Sequence, residues 1–286
     1  MKFGNVEIGR LVLGVNQFMG AAHFNSLLGQ IMRDWYTIDR VVGVMHQCNK
    51  FGINAYNYRH TDALYSHLQR FEGEGGKLHL IVQEMGDPAA VWKAVKPLAM
   101  FYLGEFVDRA FQDDNMDAVL EWCKKARDTG TMVGVGTHKP AVIDYVESKG
   151  WDVDFYAGCV YDRTRTEDEW KQVLNGHIQE TPNETYLQDD PPKMYAAMRK
   201  TRKPCFAFKV LAAGRINRNA SAAARPASSN QSRFPNTGQS ATVEQAFRTA
   251  YESIKPNDGV FVGMFPRVTD EVRENAEIMV KVLAKT

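Results

Sequence analysis

The chain is poor in the features that would assign it quickly. It has only four cysteines, Cys48, Cys123, Cys159 and Cys205, with no CxxC spacing and no pairing logic, so a disulfide scaffold and a zinc ribbon are both excluded as readings. They read as buried, reduced thiols. No apolar run approaches the ~20 residues of a membrane span, and the N-terminus shows no signal-peptide pattern, so a cytoplasmic location is expected. Charge of one sign is also lacking. The net charge is +1 and the Lys and Arg residues are dispersed, without the basic face or stripe that nucleic acid requires. No compact HExxH-type ligand spacing occurs, and there is no sequence repeat.

What is present is a rhythm. Eight short apolar runs end in polar residues: Arg10–Phe18, Gly52–Tyr58, Leu78–Glu84, Ala99–Glu105, Thr131–His138, Val153–Asp162, Pro204–Lys209 and Gly259–Phe265. Most are followed by a helical pattern. Examples are the segment from Thr37 with its stripe Val41, Val42, Met45 and Cys48, the segment Asp114–Ala126, and Pro140–Val146 with proline in its first turn. Such alternation predicts βα units around a buried parallel sheet. Eight units in 286 residues, 44% of them hydrophobic, predict one (β/α)₈ barrel domain, since such barrels take ~250 residues. The alternation around Gly4-Asn5 predicts an N-terminal hairpin at the barrel base. Two long loops are expected. The polar segment 163–192 reads as an active-site wall, and the low-complexity segment 217–240 as a mobile loop that orders with ligand.

Barrels of this type place chemistry at the C-terminal ends of their strands. Glu84, Glu105, His138 and Lys209 are therefore the candidate catalytic groups: two carboxylates, an imidazole and an amine suited to proton transfer. Lys209 either stabilises a developing enolate or forms a Schiff base; the alternative is a buried ion pair with Glu105. Those two side chains are expected in contact across the mouth. Asn16, His23, Asn57, His60, Gln83, Tyr161 and Arg163 are candidate substrate contacts, because amides and aromatic faces suit a polyhydroxylated ligand. A divalent metal held by Glu105 and His138, with His23 or His60, stays a minor alternative. Cys159 reads as a small core residue rather than a nucleophile, since no base is evident beside it.

Several segments resemble the aldo-keto reductase superfamily. Leu13-Gly-Val-Asn-Gln-Phe18 and Gly52-Ile-Asn-Ala-Tyr-Asn57 are similar to its first two strands, and Gly134-Val-Gly-Thr-His138 to its fifth. Leu211-Ala-Ala-Gly214 resembles its pyrophosphate loop, and Arg273-Glu-Asn275 its adenosine-phosphate segment. The resemblance implies the barrel and, where NADP binds, Leu211, Gly214, Arg267 and Asn275 as contacts. It also implies a departure. The family's Asp, Tyr, Lys and His positions fall on Asn57, Asp62, Gln83 or Glu84, and Glu105. Losing that whole set points away from ordinary carbonyl reduction. Three readings compete: a lyase, isomerase or hydratase acting by proton transfer on a small polar, sugar-derived carbonyl compound; a nicotinamide-dependent oxidoreductase with a rearranged site; and a non-catalytic ligand-binding barrel. The density of ionisable strand-end groups favours the first. Oligomeric state is not legible.

Overall fold

All eight apolar runs become strands, and they pair in chain order into a closed parallel barrel. The computed structural model describes residues 1–23, 25–176, 184–216 and 242–285. The barrel strands are β3 (Leu11–Leu13), β4 (Ala55–Tyr58), β5 (His79–Glu84), β6 (Ala99–Tyr102), β7 (Met132–Thr137), β8 (Phe155–Cys159), β9 (Cys205–Phe208) and β10 (Gly259–Val262). Closure is made by β10 pairing with β3, Val260 opposite Leu11 and Val262 opposite Leu13. The expected hairpin forms from β1 (Lys2–Phe3) and β2 (Val6–Glu7). It seals the barrel base with Phe3, whose ring packs edge-on against Phe155 at 5.2 Å and Phe206 at 5.1 Å.

The connecting helices follow the sequence rhythm. Those on the first half are α1 (Ser26–Trp35), α2 (Ile38–Lys50), α3 (Asp62–Gly73), α4 (Pro88–Val95), α5 (Gly104–Gln112) and α6 (Met116–Asp128). The second half carries α7 (Pro140–Ser148), α8 (Glu167–Val173), α9 (Asp190–Lys200), α10 (Val243–Ser253) and α11 (Glu271–Leu283). Thr37 is the N-cap of α2, and Pro140 opens α7, as the sequence suggests. Among the helices that come without warning, besides α5, two have clear caps. One is α1, capped by the Asn25 side chain accepting from Leu28 N–H; the other is α8, inside the polar segment, started by a Thr166–Glu169 capping box. The loop expected at 217–240 lies outside the described residues. Among the described residues no helix is long and apolar enough to cross a membrane.

Side chains alternate along each strand, so every second residue enters the barrel. Ala55, Ile81, Phe101, Ala157, Phe206 and Phe261 belong to one buried interior cluster. Small and large residues interlock there: Phe206 stacks on Phe261 at 4.7 Å. Where β6 passes into α5, two glycines let backbones meet. A Cβ on Gly136 would lie 2.7 Å from Tyr102 O and 2.9 Å from Gly104 N. Gly136→Ala is therefore expected to destabilise the protein by about 1–3 kcal/mol in urea denaturation. An unchanged midpoint would show that this junction yields without strain.

Candidate functional site

Continuing the alternation by one step beyond the interior cluster brings Asn57, Gln83, Cys159 and Phe208 to the mouth of the barrel. His138 follows Gly134 and Gly136 on the same face of β7. Its ring packs edge-on to Phe208 at 5.7 Å, which places it beside the residue that precedes Lys209.

His138 is fixed by a residue that sequence reasoning missed. Asp108, on α5, has no exposed surface and accepts from four donor groups. These are the Thr137 hydroxyl at 2.5 Å, the His138 backbone N–H at 3.0 Å, the His138 Nδ1 at 2.7 Å and the Thr164 hydroxyl at 3.0 Å. A carboxylate can only accept here, so Nδ1 carries a proton, and in the neutral ring the lone pair then lies on Nε2. The signal was available: an aspartate one residue after Val107, in the buried stripe of an amphipathic helix, needs a partner. Beside the pair, a cavity of about 450 Å³ runs under α8 and α9, lined among others by His138, Cys159, Asp162, Arg165 and Asp190.

Lys209 stands on the same side of the mouth, two strands along from His138. It follows β9 in a left-handed conformation, φ +62°, that re-aims its side chain. Its Nζ lies 3.3 Å from the Tyr186 hydroxyl. Burial, aided by the charges of Arg163 and Arg215, lowers its pKa from 10.5 to about 7, while Cys159 and Glu105 oppose the shift. The amine is thus held near neutrality. Cys159 itself is pushed up to about 12 by burial and stays a thiol.

A second group surrounds Glu184, from the polar segment expected to form a wall. Its carboxylate pairs with Arg163, with Nε to Oε2 at 3.1 Å. It also accepts the Tyr186 hydroxyl at 2.8 Å and faces His23 Nδ1 at 3.4 Å. The Asn16 amide meets His23 Nε2 at 3.2 Å, which assigns the ring proton to Nδ1. Burial first, then Lys209, Arg163, His138 and Arg215, depress the His23 pKa to about 3, so this histidine is neutral. Tyr161 packs against Tyr186, ring centroids 4.8 Å apart. Asn16, His23, Arg163, Tyr161, His138 and Lys209 are thereby brought together. Asn57 is buried at the mouth with an amide nitrogen that has no hydrogen-bond partner among the described residues.

Other sequence candidates lie elsewhere. Glu105 is exposed in the first turn of α5, because the chain leaves β6 at Gly104, where only a glycine fits against the Thr137 backbone, 2.9 Å from a Cβ. It makes no ion pair with Lys209, and its influence there is the weakest of the named charges. The expected contact between the two is corrected. Glu84 alternates outward and folds back on its own turn, accepting the N–H groups of Met85 at 2.8 Å and Gly86 at 2.7 Å. His60 packs on Tyr65 at 5.5 Å and approaches the Tyr58 hydroxyl, on the outer face of β4. No three His, Cys, Asp or Glu side chains among the described residues are arranged to hold a metal ion.

The residues suggested as nicotinamide contacts lie in the turn after β9, on the loop after β10 and on α11. Leu211 and Gly214 share a tight turn whose Ala212, Ala213 and Gly214 all have positive φ. Arg267 is exposed on the loop after β10, whereas Asn275 is only 2% exposed on α11.

The barrel is shared with enzymes of unlike chemistry. A truncated 3-deoxy-D-arabino-heptulosonate 7-phosphate synthase from Thermotoga maritima matches with a TM-score of 0.53 at 10% identity, covering 100% of this chain and 91% of that one. The glycerol dehydrogenase AKR11B4 from Gluconobacter oxydans matches at 0.52 and 13%, covering 98% and 93%. The aldo-keto reductase AKR11C1 from Bacillus halodurans matches at 0.52 and 10%, covering 97% and 93%. At such identity these similarities show the fold alone, and aldo-keto reductases are one group among several. No protein family profile matches the sequence, and no curated protein matches it.

Proposed function

We propose that this chain is an enzyme of lyase, isomerase or hydratase type that moves a proton on a small, polar, sugar-derived carbonyl compound. The observation that carries the reading is the Asp108–His138 pair, which leaves a buried, oriented Nε2 lone pair in the same mouth as Lys209. In this reading His138 Nε2 removes a proton from the carbon next to the carbonyl, and Asp108 stabilises the imidazolium that results. Lys209, poised near neutral pH, donates to the oxygen where enolate charge develops. The unpartnered Asn57 amide supplies a further donor for a substrate hydroxyl or carbonyl.

The test is deuterium incorporation, followed by proton NMR in heavy water, across a panel of hydroxyaldehydes, hydroxyketones and 2-oxo acids. Incorporation above buffer is expected for at least one class, and His138→Gln should slow it ~10²–10⁴-fold. No incorporation across the panel, or full activity in the variant, overturns the reading.

A further inference from the structure

We infer that the Glu184 carboxylate occupies the place of a substrate oxyanion, and that the mouth takes a carbonyl compound carrying a carboxylate or phosphate group. The reaction assigned to that substrate rests on the proton-transfer reading above; the binding inference does not.

The argument begins with the donors. Arg163 presents its guanidinium edge to both oxygens of Glu184, the fork geometry that recognises carboxylate and phosphate groups. The same two oxygens meet His23 Nδ1 and the Tyr186 hydroxyl. His23 comes from the loop after β3 and Arg163 from the loop after β8, so the donors converge from two separate strand ends of the mouth. Glu184 reaches them from a left-handed backbone, φ +51°, a conformation that a non-glycine residue holds only when its surroundings enforce it.

Charge points the same way. Arg163 and Arg215 act on His23 as positive groups, with Lys209 beside them, so two guanidinium groups and an amine converge where Glu184 is the carboxylate in direct contact. Arg215 also donates to the Glu184 carbonyl at 2.9 Å and stacks over Tyr186 at 4.0 Å, so it stays beside the pocket when the side chain moves. An oxyanion replacing the carboxylate would inherit the Arg163 fork, the His23 N–H and the Tyr186 hydroxyl. The Lys209 amine, 3.3 Å from that hydroxyl, would then face the adjacent part of the same molecule. One small substrate would thus span anion site and reacting centre.

Isothermal titration at low ionic strength, with inorganic phosphate and with pyruvate as separate probes, tests the inference on the full chain. Glu184→Gln removes the competing charge and should tighten at least one probe roughly tenfold or more, since like-charge juxtaposition costs more than one tenfold step. Tightening of phosphate alone assigns a phosphorylated substrate, and of pyruvate alone a 2-oxo acid. Adding Arg163→Met to the Glu184→Gln chain should abolish the gain. Should Glu184→Gln fold poorly, Glu184→Asp, too short to reach Arg163, should give a smaller gain in the same direction. Unchanged or weaker binding in a folded variant, or a gain that survives Arg163→Met, overturns the inference. Because binding rather than turnover is read, failure of the proton-transfer reading leaves this outcome unaffected.

Discussion

Lys209→Met is expected to abolish deuterium incorporation while leaving the melting temperature unchanged or a few degrees higher. The usual danger in removing a buried charge is the partner left behind, which commonly costs about 3–5 kcal/mol. Among the described residues Lys209 has no ion-pair partner: its Nζ meets the Tyr186 hydroxyl, Arg163 and Arg215 oppose its charge, and Glu105 favours it only weakly. Methionine fills a similar volume without the desolvation penalty, so a gain of about 1–2 kcal/mol is expected, in line with sites preorganised at the expense of stability. The pH dependence has a definite sign. The folded pKa, about 7, lies below the ordinary 10.5. Between those values the unfolded chain binds more protons, so the wild type gains stability as pH rises through the window. The Met variant lacks that contribution, and its advantage should shrink between pH 7 and 10. A large fall in melting temperature at neutral pH would turn Lys209 into a structural residue.

Asp108→Asn should lose both activity and stability. Its carboxylate accepts from two hydroxyls, a backbone N–H and an imidazole N–H, all but the half-buried Thr164 hydroxyl shielded from water. An amide turns one acceptor into a donor and aims it at groups that also donate. Either a hydrogen bond is lost in the interior or the His138 ring adopts the other tautomer, which removes the Nε2 lone pair from the mouth. The expected loss is about 3–5 kcal/mol in urea denaturation and ~10²–10⁴-fold in exchange rate. Asp108→Asn with wild-type exchange would remove His138 from the chemistry.

The two variants separate what was legible from what was not. Lys209 and His138 stand out in the sequence because each ends an apolar run, where a charged or polar side chain must be explained. Asp108 does not stand out by position. It lies 30 residues before His138 and inside a helix, and its meaning appears only when α5 packs against β7. Glu184 is similar. The polar segment was expected as a wall, but the pairing of Glu184 with Arg163 and His23 joins three separate parts of the chain. Glu105 shows the converse error. A run that stays apolar to Leu103 suggests a longer strand, yet β6 ends at Tyr102 because Gly104 must lie against the Thr137 backbone, and α5 begins there. That early end puts Glu105 in an exposed helix turn instead of at a strand end.

By itself the sequence determined the eight strands, their order and the hairpin at the base, because strand hydrophobicity and turn chemistry are local and repeat along the chain. Tertiary structure alone decided which polar side chains meet. Strand ends, helix starts and the left-handed turn at Lys209 depend on backbones approaching across the barrel, and a shift of one or two residues there changes which face a side chain occupies.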